Sequence, residues 1–239
     1  MRESGPARVA IVDYGMGNLF SIKHACAFAG LQAVITAAGE EIVAADAVIL
    51  PGMGAFGDAM QILRDLDLVE VLRDVAQSGK PLLGVCLGMQ LLMAESFEFG
   101  RHQGLGIIEG DVVSLQEGMD GARRLKVPQV GWNRVWRTGQ AAGEGAASPA
   151  WRDTLLDSLS DGEFMYFVHS FYPRPADPGV TLSLTRYGPV EFTSSLARGN
   201  VFACQFHPER SGPQGLRIYR NLAARITAAA VGRAPGPTS

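Results

Sequence analysis

One cysteine in the sequence has a setting that suits a nucleophile. Cys86 lies in Gly84-Val85-Cys86-Leu87-Gly88, between an apolar run typical of a strand and a segment typical of a helix. Glycine two residues to either side removes Cβ atoms that would clash in a sharp strand–turn–helix bend. The N–H of Leu87 would then be placed to donate to an oxyanion. The plainer alternative is that Cys86 is a small buried core residue, as most free cysteines are.

A thiol nucleophile needs a base, and His207 offers one. It ends an apolar run and begins the tripeptide His207-Pro208-Glu209. In an extended segment the second residue along returns its side chain to the same side, so Glu209 is expected to reach one imidazole nitrogen. The other nitrogen would then face the thiol. Taken alone, the tripeptide also fits a solvated strand end, and it becomes informative only beside the cysteine turn.

The remaining histidines and cysteines have weaker settings. His169 follows an apolar run but has no carboxylate within several residues, which favours a hydrogen-bonded structural role. His24 falls within a predicted helix and His102 beside a loop. Cys26 in a helix and Cys204 in a strand are expected to be core residues.

Alternating strands and helices are predicted to position these groups. Strands are expected at 8–13, 32–36, 47–50 and 81–85, and helices at 19–29 and 87–94. Apolar residues recur at every third position and predict one face of a further helix: Leu63, Leu66, Val69, Leu72 and Val75. Strand, tight turn and helix in alternation predict a mostly parallel sheet covered by helices, an α/β fold.

The second half of the chain predicts additional antiparallel strands. They are expected at 112–115, 125–128, 163–168, 180–187, 190–196 and 201–206, with a hairpin turn at 198–200 and a closing helix at 218–230. Residues 138–150 are rich in Gly and Ala and predict a mobile loop, and residues 232–239 predict a frayed tail. We expect one domain over 1–239, with an ordered core at about 8–230.

Composition narrows the class of protein. The 239 residues are 47% hydrophobic with a net charge of −3, which predicts a folded globular domain and favours neither nucleic acid nor a membrane surface as a partner. Three cysteines without a C-x-x-C spacing fit a reducing cytoplasm and argue against disulfides and structural zinc. The first residues lack the apolar stretch of a signal peptide, and we expect a cytoplasmic location.

The Cys86 turn, Gln90 four residues later and the distant His-Pro-Glu together resemble the class I glutamine amidotransferases. Further motifs narrow the resemblance to the glutaminase subunits of imidazole glycerol phosphate synthase, over about residues 8–230. These motifs are Asp13-Tyr14-Gly15-Met16-Gly17-Asn18-Leu19, Pro51-Gly52-Met53-Gly54-Ala55-Phe56, Lys126-Val127-Pro128-Gln129-Val130-Gly131-Trp132-Asn133, Tyr166-Phe167-Val168-His169-Ser170-Phe171-Tyr172 and Gln205-Phe206-His207-Pro208-Glu209.

The resemblance implies glutamine hydrolysis by Cys86, His207 and Glu209, with neither a metal nor an organic cofactor. It implies that Gln90 and Glu98 hold the polar end of glutamine. The residues implied to complete the substrate site are Gly52, Met53 and Gly54 in an oxyanion loop, Leu87, and Ser170 and Phe171 through their backbone.

The resemblance also implies a partner, a (β/α)₈-barrel cyclase that forms a heterodimer with this chain and receives its ammonia. Tyr166 and Arg210 would lie near that partner. Arg210 stands where many relatives have lysine, and Gln129 where many have histidine. The cyclase products would be imidazole glycerol phosphate and aminoimidazole carboxamide ribotide, in histidine biosynthesis.

Three alternatives stay open on the sequence alone. One is the glutaminase subunit of another ammonia-channelling synthase, and another is a general cysteine or ester hydrolase. The third is a catalytically inactive scaffold subunit, against which the complete set of Cys86, His207 and Glu209 argues.

Overall fold

Four short aliphatic runs in the first half of the chain form parallel strands, as the sequence predicts. The computed structural model describes residues 5–119, 125–138 and 151–232. These strands are β1 (Arg8–Val12), β2 (Gln32–Thr36), β3 (Ala47–Leu50) and β4 (Leu82–Val85). Side chains of β3 and β4 are buried throughout, because helices cover both faces of the sheet.

The helices of this half are α1 (Leu19–Phe28), α2 (Gly39–Ala44), α3 (Phe56–Asp65), α4 (Leu68–Gln77) and α5 (Leu87–Leu91). The single helical face expected from Leu63 to Val75 is wrong. Asp67 has a left-handed backbone with φ 56°, which divides the segment into α3 and α4. Leu66, expected on the buried face, is 41% exposed at this break.

A second, four-stranded sheet was largely missed by the sequence. Its strands are β5 (Met93–Ser96), β6 (His102–Gln103), β7 (Ile108–Ser114) and β10 (Phe171–Pro175), in the order β10-β7-β5-β6. The helix expected over 87–94 therefore ends at Leu91, because pairing of β5 with β7 overrides local helix propensity. Only β7 was anticipated, as the shorter segment 112–115.

The antiparallel region comprises β8 (Gln129–Arg137), β9 (Glu163–His169), β11 (Thr181–Tyr187), β12 (Val190–Arg198) and β13 (Val201–Cys204). The strand expected at 125–128 is wrong. Pro128 has no N–H to donate to a ladder, and the strand begins one residue later at Gln129. The predicted hairpin turn is confirmed, since Arg198 pairs with Val201 across Gly199 and Asn200.

The large sheet has the order β2-β1-β3-β4-β13-β12-β11-β8-β9. Its first five strands are parallel and the others antiparallel, so the expected mixed α/β architecture is confirmed. Strands β4 and β13 are parallel neighbours, with Val85 opposite Cys204. Parallel strands end at the same edge of a sheet, so the residues that follow β4 and β13 lie side by side.

The closing helix α6 (Gly212–Gly232) begins six residues earlier than expected and packs against the large sheet, with Ile218 and Leu222 buried. Apart from Thr138 and Gly232, the predicted loop 138–150 and tail 232–239 lie outside the described residues. Within those residues, no helix is long and apolar enough to cross a membrane.

Candidate active site

The backbone at Cys86 is bent into a conformation that residues with a Cβ rarely adopt. Cys86 has φ 55° and ψ −110° where β4 passes into α5, and its N–H donates to the Cys204 carbonyl oxygen at 2.8 Å. A Cβ on Gly88 would lie 1.8 Å from the Leu50 carbonyl oxygen, and one on Gly84 would lie 2.9 Å from the Gly88 carbonyl oxygen. The glycines are therefore required by close backbone approach, and the strain at Cys86 is typical of a nucleophile turn.

Cys86 is 6% exposed and belongs to the hydrophobic core, but its sulfur also meets polar groups. Its sulfur is 3.7 Å from the Val168 carbonyl oxygen, and Gln205 directs its amide nitrogen at the sulfur from 3.6 Å. The thiol therefore has one polar acceptor and one polar donor within reach, a more polar setting than that of an inert core cysteine.

His207 and Glu209 form a buried pair beside this thiol. The distance from His207 Nδ1 to Glu209 Oε1 is 2.9 Å. Residues Pro208–Arg210 form a 3-10 turn, so the extended geometry expected for this contact is wrong although the contact itself is made. With Nδ1 donating to the carboxylate, Nε2 is left toward Cys86, and it has no nitrogen or oxygen partner among the described residues.

The charge state of His207 follows from its neighbours. Burial acts to lower the pKa of His207, but interactions with Cys86 and Glu209 outweigh burial and raise it to about 10. The site therefore favours the imidazolium form at neutral pH, which can supply a proton to a leaving group.

The backbone of His207 is held in place by two neighbours. The His207 N–H donates to the Tyr166 carbonyl oxygen at 2.9 Å, and Ser211 Oγ donates to the His207 carbonyl oxygen at 2.6 Å. Ser211 Oγ in turn accepts from the Tyr166 N–H at 2.9 Å. These bonds connect β9 to the 3-10 turn and hold the His207 backbone, while the contact with Glu209 orients the imidazole.

The loop Pro51–Gly54 packs against the Cys86 turn. A Cβ on Gly52 would lie 2.4 Å from the Tyr14 hydroxyl and 2.8 Å from the Leu87 Cβ, so only glycine fits there. Gly54 has φ 101°, and the Met53 side chain is exposed. The expected oxyanion loop thus lies beside Leu87, which is the first residue of α5.

Gln90 and Glu98 are both buried. Gln90 donates both amide hydrogens, to the Phe171 carbonyl oxygen at 2.8 Å and to Gln205 Oε1 at 2.9 Å. Glu98 Oε2 accepts the Phe56 N–H at 2.6 Å, and burial is the main reason that the pKa of Glu98 is raised. Each side chain can therefore offer an oxygen acceptor, the type of group that binds a cationic ammonium group.

Ser170 and Phe171 lie where β9 passes into β10. The Ser170 carbonyl oxygen accepts the Leu115 N–H at 2.9 Å, and the Phe171 carbonyl oxygen accepts from His169 Nδ1 at 2.8 Å as well as from Gln90. His169 Nε2 is 3.2 Å from the Gln129 side-chain amide. His169 is thus the hydrogen-bonded structural histidine that the sequence favoured.

Tyr166 and Arg210 are adjacent. The Arg210 guanidinium lies 4.5 Å from the centre of the Tyr166 ring, and Trp132 packs edge-on against the same ring at 6.0 Å. Trp132 is exposed, so this aromatic group faces outward beside the site.

The remaining histidines and cysteines are not part of the group formed by Cys86, His207 and Glu209. His24 is on the exposed side of α1, and the His102 ring packs against Gly57. Cys26 and Cys204 are buried core residues, as expected, and burial raises the pKa of Cys26 to about 12. Among the described residues, no group of three potential ligands could hold a metal ion.

Sequence reasoning missed three residues with clear positions in the site. Tyr14 donates its hydroxyl proton to the Pro51 carbonyl oxygen at 2.8 Å, Gln205 bridges Cys86 and Gln90, and Ser211 holds His207. Tyr14 and Gln205 fall within motifs that the sequence singled out, but their contacts cross long stretches of chain and have no local signature.

Known proteins are similar to this chain in sequence and in fold. The family model "Glutamine amidotransferase class-I" matches residues 10–226. The imidazole glycerol phosphate synthase subunit HisH of Aquifex aeolicus is 42% identical over 90% of this chain and 95% of its own, and that of Rhodopirellula baltica is 43% identical over 90% and 96%.

Solved structures share the fold at lower identity. PurLQS from Thermotoga maritima superposes with a TM-score of 0.67 at 19% identity, covering 93% of this chain and 100% of the other. A crystal structure of a glutamine amidotransferase superposes with a TM-score of 0.64 at 21% identity, covering 90% and 98%. The chain belongs to the class I glutamine amidotransferase family and, within it, to the HisH subunits of imidazole glycerol phosphate synthase.

Proposed function

We infer that this chain hydrolyses L-glutamine to glutamate and ammonia as the glutaminase subunit of an imidazole glycerol phosphate synthase. The observation that carries this inference is the strained Cys86 turn beside a His207 whose Nδ1 is 2.9 Å from Glu209. The relatives with HisH names, 42–43% identical over 90% of the chain, supply the pathway.

The chemistry is acyl transfer through a covalent intermediate. Cys86 Sγ attacks the side-chain carbonyl carbon of glutamine, and the developing oxyanion meets the Leu87 N–H and one N–H of the Pro51–Gly54 loop. His207 gives its proton to the departing ammonia, then takes one from the water that releases glutamate. Glu209 holds His207 in the required tautomer and stabilises its imidazolium form.

The far end of glutamine would be recognised by groups of opposite charge. Gln90 has committed both amide hydrogens, so its carbonyl oxygen and the Glu98 carboxylate are the acceptors available for the α-ammonium group. Backbone groups of Ser170 and Phe171 would line the other side of the substrate. This arrangement supports glutamine over amides that lack an α-amino group.

The HisH relatives are named as subunits, which supports a partner subunit for this chain. We propose that the partner is a (β/α)₈-barrel cyclase bound as a heterodimer over the face that carries Tyr166 and Arg210. The exposed Trp132, packed against Tyr166, extends that face with an aromatic surface typical of interface centres. Ammonia passed internally would escape protonation by the solvent.

The alternatives are separated by activity with defined partners. Glutamine turnover would be measured for the full chain alone, with the candidate cyclase, and with the cyclase and its nucleotide ligand. Glutamate release that depends on the cyclase supports the proposal. Hydrolysis of unrelated esters but not glutamine would indicate a general hydrolase, and no turnover in any arm would indicate a scaffold.

A further inference from the structure

Two buried oxygen atoms beneath the site have no hydrogen-bond partner among the described residues. They are Glu209 Oε2 and the hydroxyl of Tyr219 on α6. The Glu209 side chain is 1% exposed, and Tyr219 is 0% exposed. Buried polar groups rarely stay unpaired, because leaving them so costs the free energy of lost hydration.

The packing of α6 brings these two residues to the same place. A Cβ on Gly215 would lie 2.0 Å from the Pro208 carbonyl oxygen, so this face of α6 touches the turn that carries Glu209. Tyr219 is four residues further along the helix and therefore lies on the same face, one turn on.

The chemistry of the two groups is complementary. Glu209 is a carboxylate whose Oε1 already meets His207, so Oε2 can only accept. Burial and then the charge of Glu209 raise the pKa of Tyr219, so its hydroxyl keeps its proton and can donate.

We propose that Tyr219 is a positioning residue for the catalytic triad, whose hydroxyl donates to Glu209 Oε2 across one buried water. A water suits two buried polar atoms with complementary roles and no direct hydrogen bond between them. The bond fixes the rotation of the carboxylate and so the plane of the Oε1–His207 contact. Tyr219 thereby acts on Cys86 through Glu209 and His207, and this role rests on the proposed triad.

The test compares Tyr219→Phe with wild type in the full chain, by glutamine turnover with the cyclase and its nucleotide ligand. We expect kcat to fall roughly tenfold with KM within about twofold, the size expected for one lost hydrogen bond to a charged group. Tyr187→Phe is the matched control, since it removes a hydroxyl that donates to the Lys126 carbonyl oxygen away from the triad. A kcat for Tyr219→Phe equal to that of Tyr187→Phe would overturn the proposal.

A double-mutant cycle separates positioning from simple packing. In a Glu209→Ala background, Tyr219→Phe should have no further effect, because the group it acts on is absent. An equal fold-loss in both backgrounds would overturn the proposal.

Two readouts are independent of glutamine. Alkylation of Cys86 by iodoacetamide, mapped by mass spectrometry, should slow in Tyr219→Phe at neutral pH even if wild type shows no glutaminase activity. Slower alkylation of Cys86 together with an inactive wild type would reject the proposed function and leave this inference standing. A high-resolution crystal structure with neither a water nor direct contact between the two oxygens would reject the inference alone.

Discussion

The Tyr14 hydroxyl donates to the Pro51 carbonyl oxygen at 2.8 Å and so fixes the first peptide of the Pro51–Gly54 loop. The position of a Cβ on Gly52 is only 2.4 Å from the same hydroxyl. Tyr14 therefore restrains the Pro51 end of the loop. At the other end, Gly54 has φ 101°, a backbone conformation that glycine adopts without steric cost.

We predict that the loop switches the glutaminase on. Rotation of a peptide group between Gly52 and Gly54 would replace a carbonyl that repels the oxyanion with an N–H that stabilises it. One such donor stabilises the transition state by about 3–4 kcal/mol, or roughly 10²–10³ in rate. A partner that binds the active orientation more tightly would favour it. Turnover should rise from chain alone to complex to complex with nucleotide. Equal rates in all three would show a static loop.

We predict that Tyr14→Phe narrows the difference in glutamine turnover between the isolated chain and the stimulated complex. Loss of the hydroxyl frees the Pro51 carbonyl oxygen and should raise turnover of the isolated chain relative to the stimulated complex. The lost hydrogen bond should also lower the free energy of unfolding by about 1 kcal/mol. The measurements are the ratio of stimulated to basal turnover and denaturant unfolding. An unchanged ratio would mean that Tyr14 contributes only stability.

We predict that Cys86→Ala and Cys86→Ser abolish glutamine hydrolysis without unfolding the chain. The substituted atom lies in the site pocket, and the backbone bend is set by the flanking glycines. A glutamine-analogue electrophile should label Cys86 stoichiometrically, as read by peptide mapping. Labelling chiefly at Cys26 or Cys204 would contradict the assignment of the nucleophile.

We predict that Glu209→Gln leaves glutamine binding nearly intact but slows turnover by orders of magnitude. A neutral amide can still bond His207, but it does not stabilise imidazolium and favours the wrong tautomer. The pKa of His207, raised in part by Glu209, should fall. The measurement is kcat and KM with saturating partner and ligand, and wild-type turnover would reduce Glu209 to a structural residue.

We predict that His169 makes the fold sensitive to acid. Burial lowers the pKa of His169 to about 4 from its ordinary 6.5, despite the opposing bond to the Phe171 carbonyl oxygen. The unfolded chain binds this proton more readily, so stability is full above pH 6.5 and is lost as pH falls toward 4. At 1.36 kcal/mol per pKa unit, the loss approaches about 3 kcal/mol.

The measurement for His169 is the free energy of unfolding against pH, for wild type and His169→Gln. Carboxylates titrate in both proteins, so the difference between the two curves isolates His169. A difference that stays constant between pH 7 and 4 would show that His169 takes up its proton as readily in the folded chain as in the unfolded chain.

Much of the site was readable from the sequence because its requirements are local. The bend at Cys86 needs glycine at position 84 because a Cβ there would meet the Gly88 carbonyl oxygen of the same turn. The Glu209 carboxylate is within reach of His207 because only one residue separates them. The aliphatic runs that become β1, β3 and β4 are almost entirely buried, so their composition alone marks them as strands of a covered parallel sheet.

The remaining features depended on contacts between distant parts of the chain. Cys86 meets His207 because β13 pairs with β4, and Gln205 reaches the thiol across 119 residues. The short strands β5, β6 and β10 exist because they pair with one another or with β7, not because their residues favour extended backbone. Hydrogen bonds and burial stabilise such strand pairings only after the chain has closed its long loops, which costs conformational entropy. These pairings are therefore visible only in the tertiary structure.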